Sequence, residues 1–382
     1  MLRAFRIFVL SYFSIIAFGS LFIPRPVLAW YKHQTMMPTI LKSSTERLKN
    51  QVFKTPCESE NLAVLKKLIP ELLLNDQTRV SQMAFSGKNC SVKPNISAYE
   101  IFMNESVDDP DLGMDQDLPE TELYDPKKER RWMGGTTGLS SQGFRHMVFG
   151  GWKPSHPLQS FQIPLGAIGQ APARTQILAE KGKELIKDGH FAWGYRLVAW
   201  AMHYIQDICQ PFHAVQVVST KMIPWGDLLT WPPSVGFNNL VHDATRIVGN
   251  YHLAYETYIL YQQEHSSIFD ECLSSPEKYA EVTFDPEQLD PEHITLRTAE
   301  ASLKIAKRLG PEVVSLFGDE LKKPNYHLST GQGTVNYNEL STRPDLKKTR
   351  DQIHRTTCIT LANGALGTRK LIDWTLNSTG TH

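Results

Sequence analysis

The residues best able to do chemistry crowd into one stretch, His203-Tyr204-Ile205-Gln206-Asp207-Ile208-Cys209-Gln210-Pro211-Phe212-His213. His203 and Asp207 are four apart, so on a helix they project from one face and can grip a common metal ion. His213 follows Pro211, just past the expected helix end, and can face the same cavity from a loop. The spacing repeats in His252-Leu253-Ala254-Tyr255-Glu256. One such pair often means only a solvated helix face. Two pairs with a further His between them point to a metal centre. Imidazole and carboxylate without thiolate suit zinc in a catalytic role.

Two further pieces lie upstream. Glu105-Ser106-Val107-Asp108-Asp109-Pro110-Asp111-Leu112-Gly113-Met114-Asp115 sets carboxylates on a turn-rich segment. Taken alone it reads as a solvated acidic loop, with calcium binding as the alternative. Gly143-Phe144-Arg145-His146 then delivers a His from the end of a Gly/Ser loop. The run from Gly134 to Gly138 lacks the Gly-Lys-Ser/Thr ending of a phosphate-binding loop, and no Gly-x-Ser-x-Gly elbow exists. Nucleotide binding there and serine hydrolase chemistry are therefore unsupported.

Helices must position these groups. The spacing predicts helices over 40–75, Ile177 to Lys187, Phe191 to Ile208, Asn239 to Gln263, Ala299 to Leu316 with a break at Gly310-Pro311, and Thr356 to Leu376. Trp193, Leu197, Trp200 and Tyr204 fall at helical spacing and read as a core face. From Cys90 to about Gly151, Asp, Pro and Gly dominate and long loops are expected. Period-2 strands are scarce, so the expected fold is all-α, a multi-helix bundle with long irregular loops.

The chain has 382 residues, 40 Lys+Arg against 40 Asp+Glu, and 41% hydrophobic content. That suits a folded neutral globule and excludes a disordered chain or an overall basic nucleic-acid binder. Residues 1–29 read as a signal peptide: Arg3 and Arg6, an apolar run from Ile7 to Ile23, Pro24 and Pro26, then Val27-Leu28-Ala29 as the cleavage triplet. Cleavage leaves Trp30 first and 30–382 as one domain, exported to the periplasm or outside the cell. The leader takes three Arg and no acid with it, so the mature net charge is −3. An oxidising compartment allows disulfides; sequence proximity pairs Cys57 with Cys90 and Cys272 with Cys358, leaving Cys209 as a buried thiol. The remaining histidines, among them His190, His242 and His265, read as structural or solvent-facing.

HYIQDICQPFHA followed by HLAYE, in a mature chain beginning Trp30-Tyr31-Lys32-His33, resembles the bacterial zinc-dependent phospholipase C family. Fungal single-strand nucleases form a related branch. The resemblance covers residues 30–33, 105–115, 143–146 and 203–256. It implies an all-α bundle around a trinuclear zinc site, with one Zn2+ bound by the α-amine and carbonyl of Trp30 together with His33. Asp207 would bridge that ion to a second, completed by His146, His203 and an Asp of the acidic loop. His213, His252 and Glu256 would hold the third. The family's loop ligand often follows a Pro, which selects Asp111; counting from the start of the loop selects Asp109 instead. Asp111 is the expected ligand and general base. His33 lies closer to Trp30 than in the best-known secreted members.

The family implies hydrolysis of the glycerol-side phosphodiester of phosphatidylcholine-like phospholipids, with transient contact to a membrane surface. Glu256 matches the phospholipase branch, whereas the nuclease branch resembles HxxxD, and Ala214 to Thr230 lacks the nucleases' Gly-Gly-Asn signature. A net charge of −3 offers no general attraction for polynucleotide. A zinc-dependent single-strand nuclease is the first alternative, and a non-catalytic zinc-binding helical protein the second. No protein partner is inferable.

Overall fold

The computed structural model describes residues 32–54, 95–103, 105–111, 145–150, 165–166, 168–215 and 217–378. The leader, Trp30, Cys57, Cys90 and the Gly134 to Gly138 loop lie outside them. The described helices are α1 (Met37–Ile40), α2 (Thr45–Lys49), α3 (Ala98–Met103), α4 (Ala171–Lys187), α5 (Phe191–Ile208), α6 (Pro211–Ala214), α7 (Pro233–His265), α8 (Asp270–Ser274), α9 (Pro291–Phe317), α10 (Tyr337–Thr342) and α11 (Lys347–Ser378). The sole sheet among the described residues pairs β1 (Val52–Lys54) antiparallel with β2 (Asn95–Ser97), Phe53 opposite Ile96. The fold is all-α.

α5 lies at the centre. All its residues but Phe191 are buried, including Arg196, His203, Gln206 and Asp207, whose polar groups must therefore find partners inside. It packs against α4, α3, α9 and α11. Its closest crossing is with α4, at Gly182 and Gly194. A Cβ on either would come within 2.7 Å of the other's carbonyl oxygen, so only paired glycines let the two backbones approach this far. One apolar cluster surrounds α4 and α5, and a second joins α7, α8, α9 and α11. Ile208 belongs to the first, whereas Cys209 and Phe212 belong to the second. The turn from α5 into α6 therefore sits at the seam between them.

Local chemistry sets the boundaries. Gln210 caps α6, its side chain accepting from Phe212 N, with Pro211 at the first helical position. Asp290 caps α9 by accepting from His293 N at 2.9 Å. No helix among the described residues is long and apolar enough to cross a membrane.

Several expectations need correction. The helix expected over 40–75 is broken in its described part: short turns end at Lys49 and Val52–Lys54 forms a strand, because β-branched Val52 and aromatic Phe53 find a partner in Asn95–Ser97, while 55–75 lie outside the described residues. The loops expected after Cys90 include α3 and a 3-10 turn, Glu105–Asp108. α9 starts at Pro291 and runs through Pro311 without a break. Pro311 and Lys307, whose carbonyl loses its helical donor, are both on the exposed side, so water can satisfy that oxygen. His213 sits on α6 rather than on a loop. Cys272 and Cys358 are thiols in hydrogen-bond contact rather than a disulfide, and Cys209 is a buried thiol.

Candidate metal centre

α5 carries His203, Gln206 and Asp207 into the interior, all buried. Asp207 faces two ways. Its Oδ1 lies 3.1 Å from His33 Nε2, while its Oδ2 lies 2.7 Å from His146 Nδ1 and 3.2 Å from His203 Nε2. His146 Nδ1 and His203 Nε2 are 3.0 Å apart. Asp111 Oδ1 closes the group at 3.9 Å from His146 Nδ1 and 3.8 Å from His203 Nε2. Ligand atoms held tetrahedrally around zinc at about 2.0–2.1 Å are separated by about 3.3 Å. The separations here, 2.7 to 3.9 Å, bracket that edge.

A third set stands beside it. His252 Nε2 is 3.1 Å from His213 Nε2 and 2.8 Å from Glu256 Oε1, and His213 Nε2 is 3.5 Å from the same Oε1. His213 Nδ1 donates to the His146 carbonyl at 3.0 Å, which ties this set to its neighbour. Among the described residues, three buried groups could thus hold metal ions: His33 with Asp111 and His203, His146 with His203 and Asp207, and His213 with His252 and Glu256.

The donor atoms fit cations. Asp111 Oδ1 and Glu256 Oε2 are buried and make no hydrogen bond, and His33 Nε2 faces Asp207 Oδ1 at 3.1 Å, where a cation could replace the proton between them. Each such atom costs about 1–3 kcal/mol when nothing satisfies it, and a bound cation would satisfy several at once. No family model and no curated protein matches the chain.

Neighbouring side chains fix the ligand orientations. His33 Nδ1 donates to Gln206 Oε1 at 3.0 Å, which leaves Nε2 deprotonated toward Asp207 once a metal binds. Gln206 is held in turn by Thr368 Oγ1 at 3.3 Å. Gln210 Nε2 donates to Glu256 Oε1 at 2.8 Å, and Gln210 Oε1 accepts from Phe212 N at 2.5 Å. The Phe212 ring stacks on His252 with centroids 5.0 Å apart and planes 3° from parallel. Gln206, Gln210 and Phe212 were missed in the sequence. The available signal was two glutamines interrupting an otherwise apolar helix and its continuation, where burial demands a partner.

The acidic segment separates into distinct roles. Asp108, Asp109 and Asp111 are all buried, so the segment is not a solvated loop. Asp109 Oδ2 accepts from Arg196 Nε at 2.7 Å and from Trp200 Nε1 at 2.6 Å, both from α5. It is thereby committed to bracing the loop. Asp108 Oδ1 accepts from Gln34 N at 3.2 Å. Asp111 alone of the three comes within 4 Å of the His146 and His203 ring nitrogens. Trp30 lies outside the described residues; His33, Asp111, His146, His203, Asp207, His213, His252 and Glu256 all come together. His242 is exposed and takes no part.

Charge balance follows from burial. Desolvation disfavours protonated His33, but the hydrogen bond and charge of Asp207, with Asp108 and Asp111, outweigh it and raise this imidazole to about 9. Burial lowers His203 to about 3, and the neighbouring His33 and His146 reinforce that. Burial pushes Asp111 up to about 8 despite the pull of His146, and raises Asp108 to about 6. Asp207 is held well below the usual carboxylate range; burial opposes this, but the charges and hydrogen bonds of His203 and His146 prevail. Without metal, the centre stores protons where ligands should be bare.

Proposed function

We propose that the protein is an exported zinc-dependent phospholipase C that cleaves the glycerol-side phosphodiester of phosphatidylcholine-like lipids. The observation that carries this reading is the divided Asp207 carboxylate, one oxygen toward His33 and the other toward His146 and His203. A carboxylate divided this way could serve two ions, and His213, His252 and Glu256 could hold a third.

Zinc, when bound, would supply Lewis acidity toward the phosphoryl oxygens, a water of lowered pKa and charge compensation at the leaving alkoxide. Asp111 Oδ1 faces the His146 and His203 nitrogens without a hydrogen bond of its own, so the carboxylate can take the proton of the attacking water as general base. Asp109, gripped by Arg196 and Trp200, keeps that loop from drifting. The new bond joins water oxygen to phosphorus, the bond from phosphorus to the glycerol oxygen breaks, and the proton taken by Asp111 passes to that leaving oxygen directly or through solvent, so that diacylglycerol and a phosphorylated head group depart. The family resemblance of HYIQDICQPFHA and HLAYE supports lipid over polynucleotide, as does Glu256 in the last pair.

The test supplies protein beginning at Trp30 with zinc and compares phosphatidylcholine with single-stranded DNA, His203→Ala serving as control. Diacylglycerol release that chelator abolishes and zinc restores is the expected result. DNA turnover instead would move the protein to the nuclease branch. Equal rates for wild type and His203→Ala would leave a non-catalytic zinc-binding protein. The reading also assigns one ion to the Trp30 amine, so a residue added before Trp30 should remove one zinc per chain.

A further inference from the structure

Eight large hydrophobic side chains stand exposed among the described residues, and five of them fall within eleven positions: Trp225, Leu228, Leu229, Trp231 and Val235. The two most exposed are Leu229 at 89% and Trp231 at 84%. They occupy the 3-10 turn Trp225–Leu229, the link through Pro232, and the first turn of α7. Residues 228–235 are all exposed, eight in succession, so the patch is a projecting knob rather than a groove.

The knob is built, not frayed. Gly236 packs so closely beneath it that a Cβ would lie 2.6 Å from Asp227 O and 2.8 Å from Thr230 O. Phe237 and Leu240 are buried behind it on α7. A folded turn that holds two indoles and two leucines outward against water is costly unless something covers them.

We propose that this knob docks on the zwitterionic surface of a phospholipid bilayer, with Leu229 and Trp231 entering the headgroup–acyl boundary. Three observations select lipid. No Lys or Arg occurs between Lys221 and Arg246, while Asp227 and Asp243 do, so neither anionic lipid nor nucleic acid is attracted. Paired tryptophans beside leucines match the interfacial region, where one ring edge is wet and the body apolar. The five side chains expose roughly 600 Å² by their fractional exposures, the upper end for a single patch and below the ~800 Å² per partner of a standard protein interface. A convex tip of that size suits insertion better than self-association.

The proposal extends the phospholipase reading, and rests on it for the purpose of docking rather than for docking itself. Val235 and His252 ride the same helix, α7, about 25 Å apart along its axis at 1.5 Å per residue. The knob therefore tethers the enzyme without belonging to the metal centre.

The experiment measures partition onto phosphatidylcholine vesicles by flotation and by the first seconds of tryptophan emission, for wild type and for Leu229→Ser/Trp231→Ser. Expected are a blue shift and binding that 0.5 M salt and added phosphatidylserine leave essentially unchanged, weakened roughly 30-fold or more in the double variant. Turnover of a short-chain, monomeric phosphatidylcholine should be the same in both proteins, while turnover of vesicles falls with binding. Wild type that ignores vesicles, a double variant that binds as well as wild type, or a concentration-dependent dimer lost in the variant in place of vesicle binding would each overturn the proposal. Vesicle binding by a protein with no lipid turnover would uphold the docking surface and remove the phospholipase reading.

Discussion

Gln210 offers the sharpest test of how the third ligand set is supported. Its amide does two things at once: Nε2 donates to Glu256 Oε1 at 2.8 Å, and Oε1 accepts from Phe212 N at 2.5 Å to cap the helix that carries His213. Gln210→Ala removes both. A hydrogen bond to a charged acceptor is worth about 1.5–3 kcal/mol, and a lost cap costs about 1 kcal/mol more. Most of that loss falls on the orientation of Glu256 and His213. At about 1.4 kcal/mol per tenfold, zinc affinity of the His213, His252 and Glu256 set should drop 10- to 100-fold, a range typical for partners that orient metal ligands. Gln210→Glu sharpens the case, because it keeps an acceptor for Phe212 N yet brings a second carboxyl against Glu256. Its zinc affinity should fall further and recover only where one of the two is protonated. Equilibrium dialysis at buffered free zinc, with far-UV circular dichroism to verify the fold, reads both variants. If Gln210→Ala binds the same number of ions within twofold of wild-type affinity, the supporting role assigned to Gln210 is wrong.

Three further outcomes are expected. His33 at about 9 and Asp111 at about 8 both hold protons at pH 7 in the metal-free protein, so zinc loading there should release about two protons, readable with an indicator in weak buffer. Both folded-state values lie above the unfolded ones, so the folded chain holds the excess of protons; the melting temperature of chelator-treated protein should therefore fall from pH 7 to 9 as they are lost, while zinc affinity rises. A flat melting temperature would contradict the charge balance. Asp109→Ala takes the carboxylate from Arg196 and should cost about 3–5 kcal/mol of stability by thermal or urea melts, whereas Asp111→Asn should leave metal-free stability unchanged or higher and lower turnover about 10²–10⁴-fold. Gly194→Ala drives a methyl toward Gly182 O at 2.7 Å and Ile186 Cγ1 at 2.6 Å, an overpacking that should destabilise by about 1–3 kcal/mol in the same melts.

The helix bearing His203 and Asp207 was legible to the residue, because a long apolar run at helical spacing leads up to it and Pro211 follows it. The i, i+4 pairs were legible for the same geometric reason. The choice between Asp109 and Asp111 rested on the family's Pro-Asp pattern alone, since both stand on one short segment and the partner that claims Asp109 is Arg196, 87 positions away. Burial of the acidic segment was equally hidden: three carboxylates in four residues look solvated until the histidines and Arg196 fold over them. Val52–Lys54 misled because its strand partner lies more than forty residues on. Pro311 misled because a proline is costliest where its freed carbonyl is buried, and here Lys307 and Pro311 both lie on the exposed side of the helix.

The enclosure of α5 on all sides carries one more consequence. A surface helix can open locally and let a ligand go while the rest of the domain stays intact. α5 has no exposed face along which to open, so amides near His203 and Asp207 exchange with solvent only when the whole domain unfolds. The half of the site that α5 supplies therefore keeps its place whether or not metal is bound, so ions stripped by chelator should find His203 and Asp207 already positioned on their return, and any loosening of the empty site falls on the segments that carry His33, Asp111 and His146.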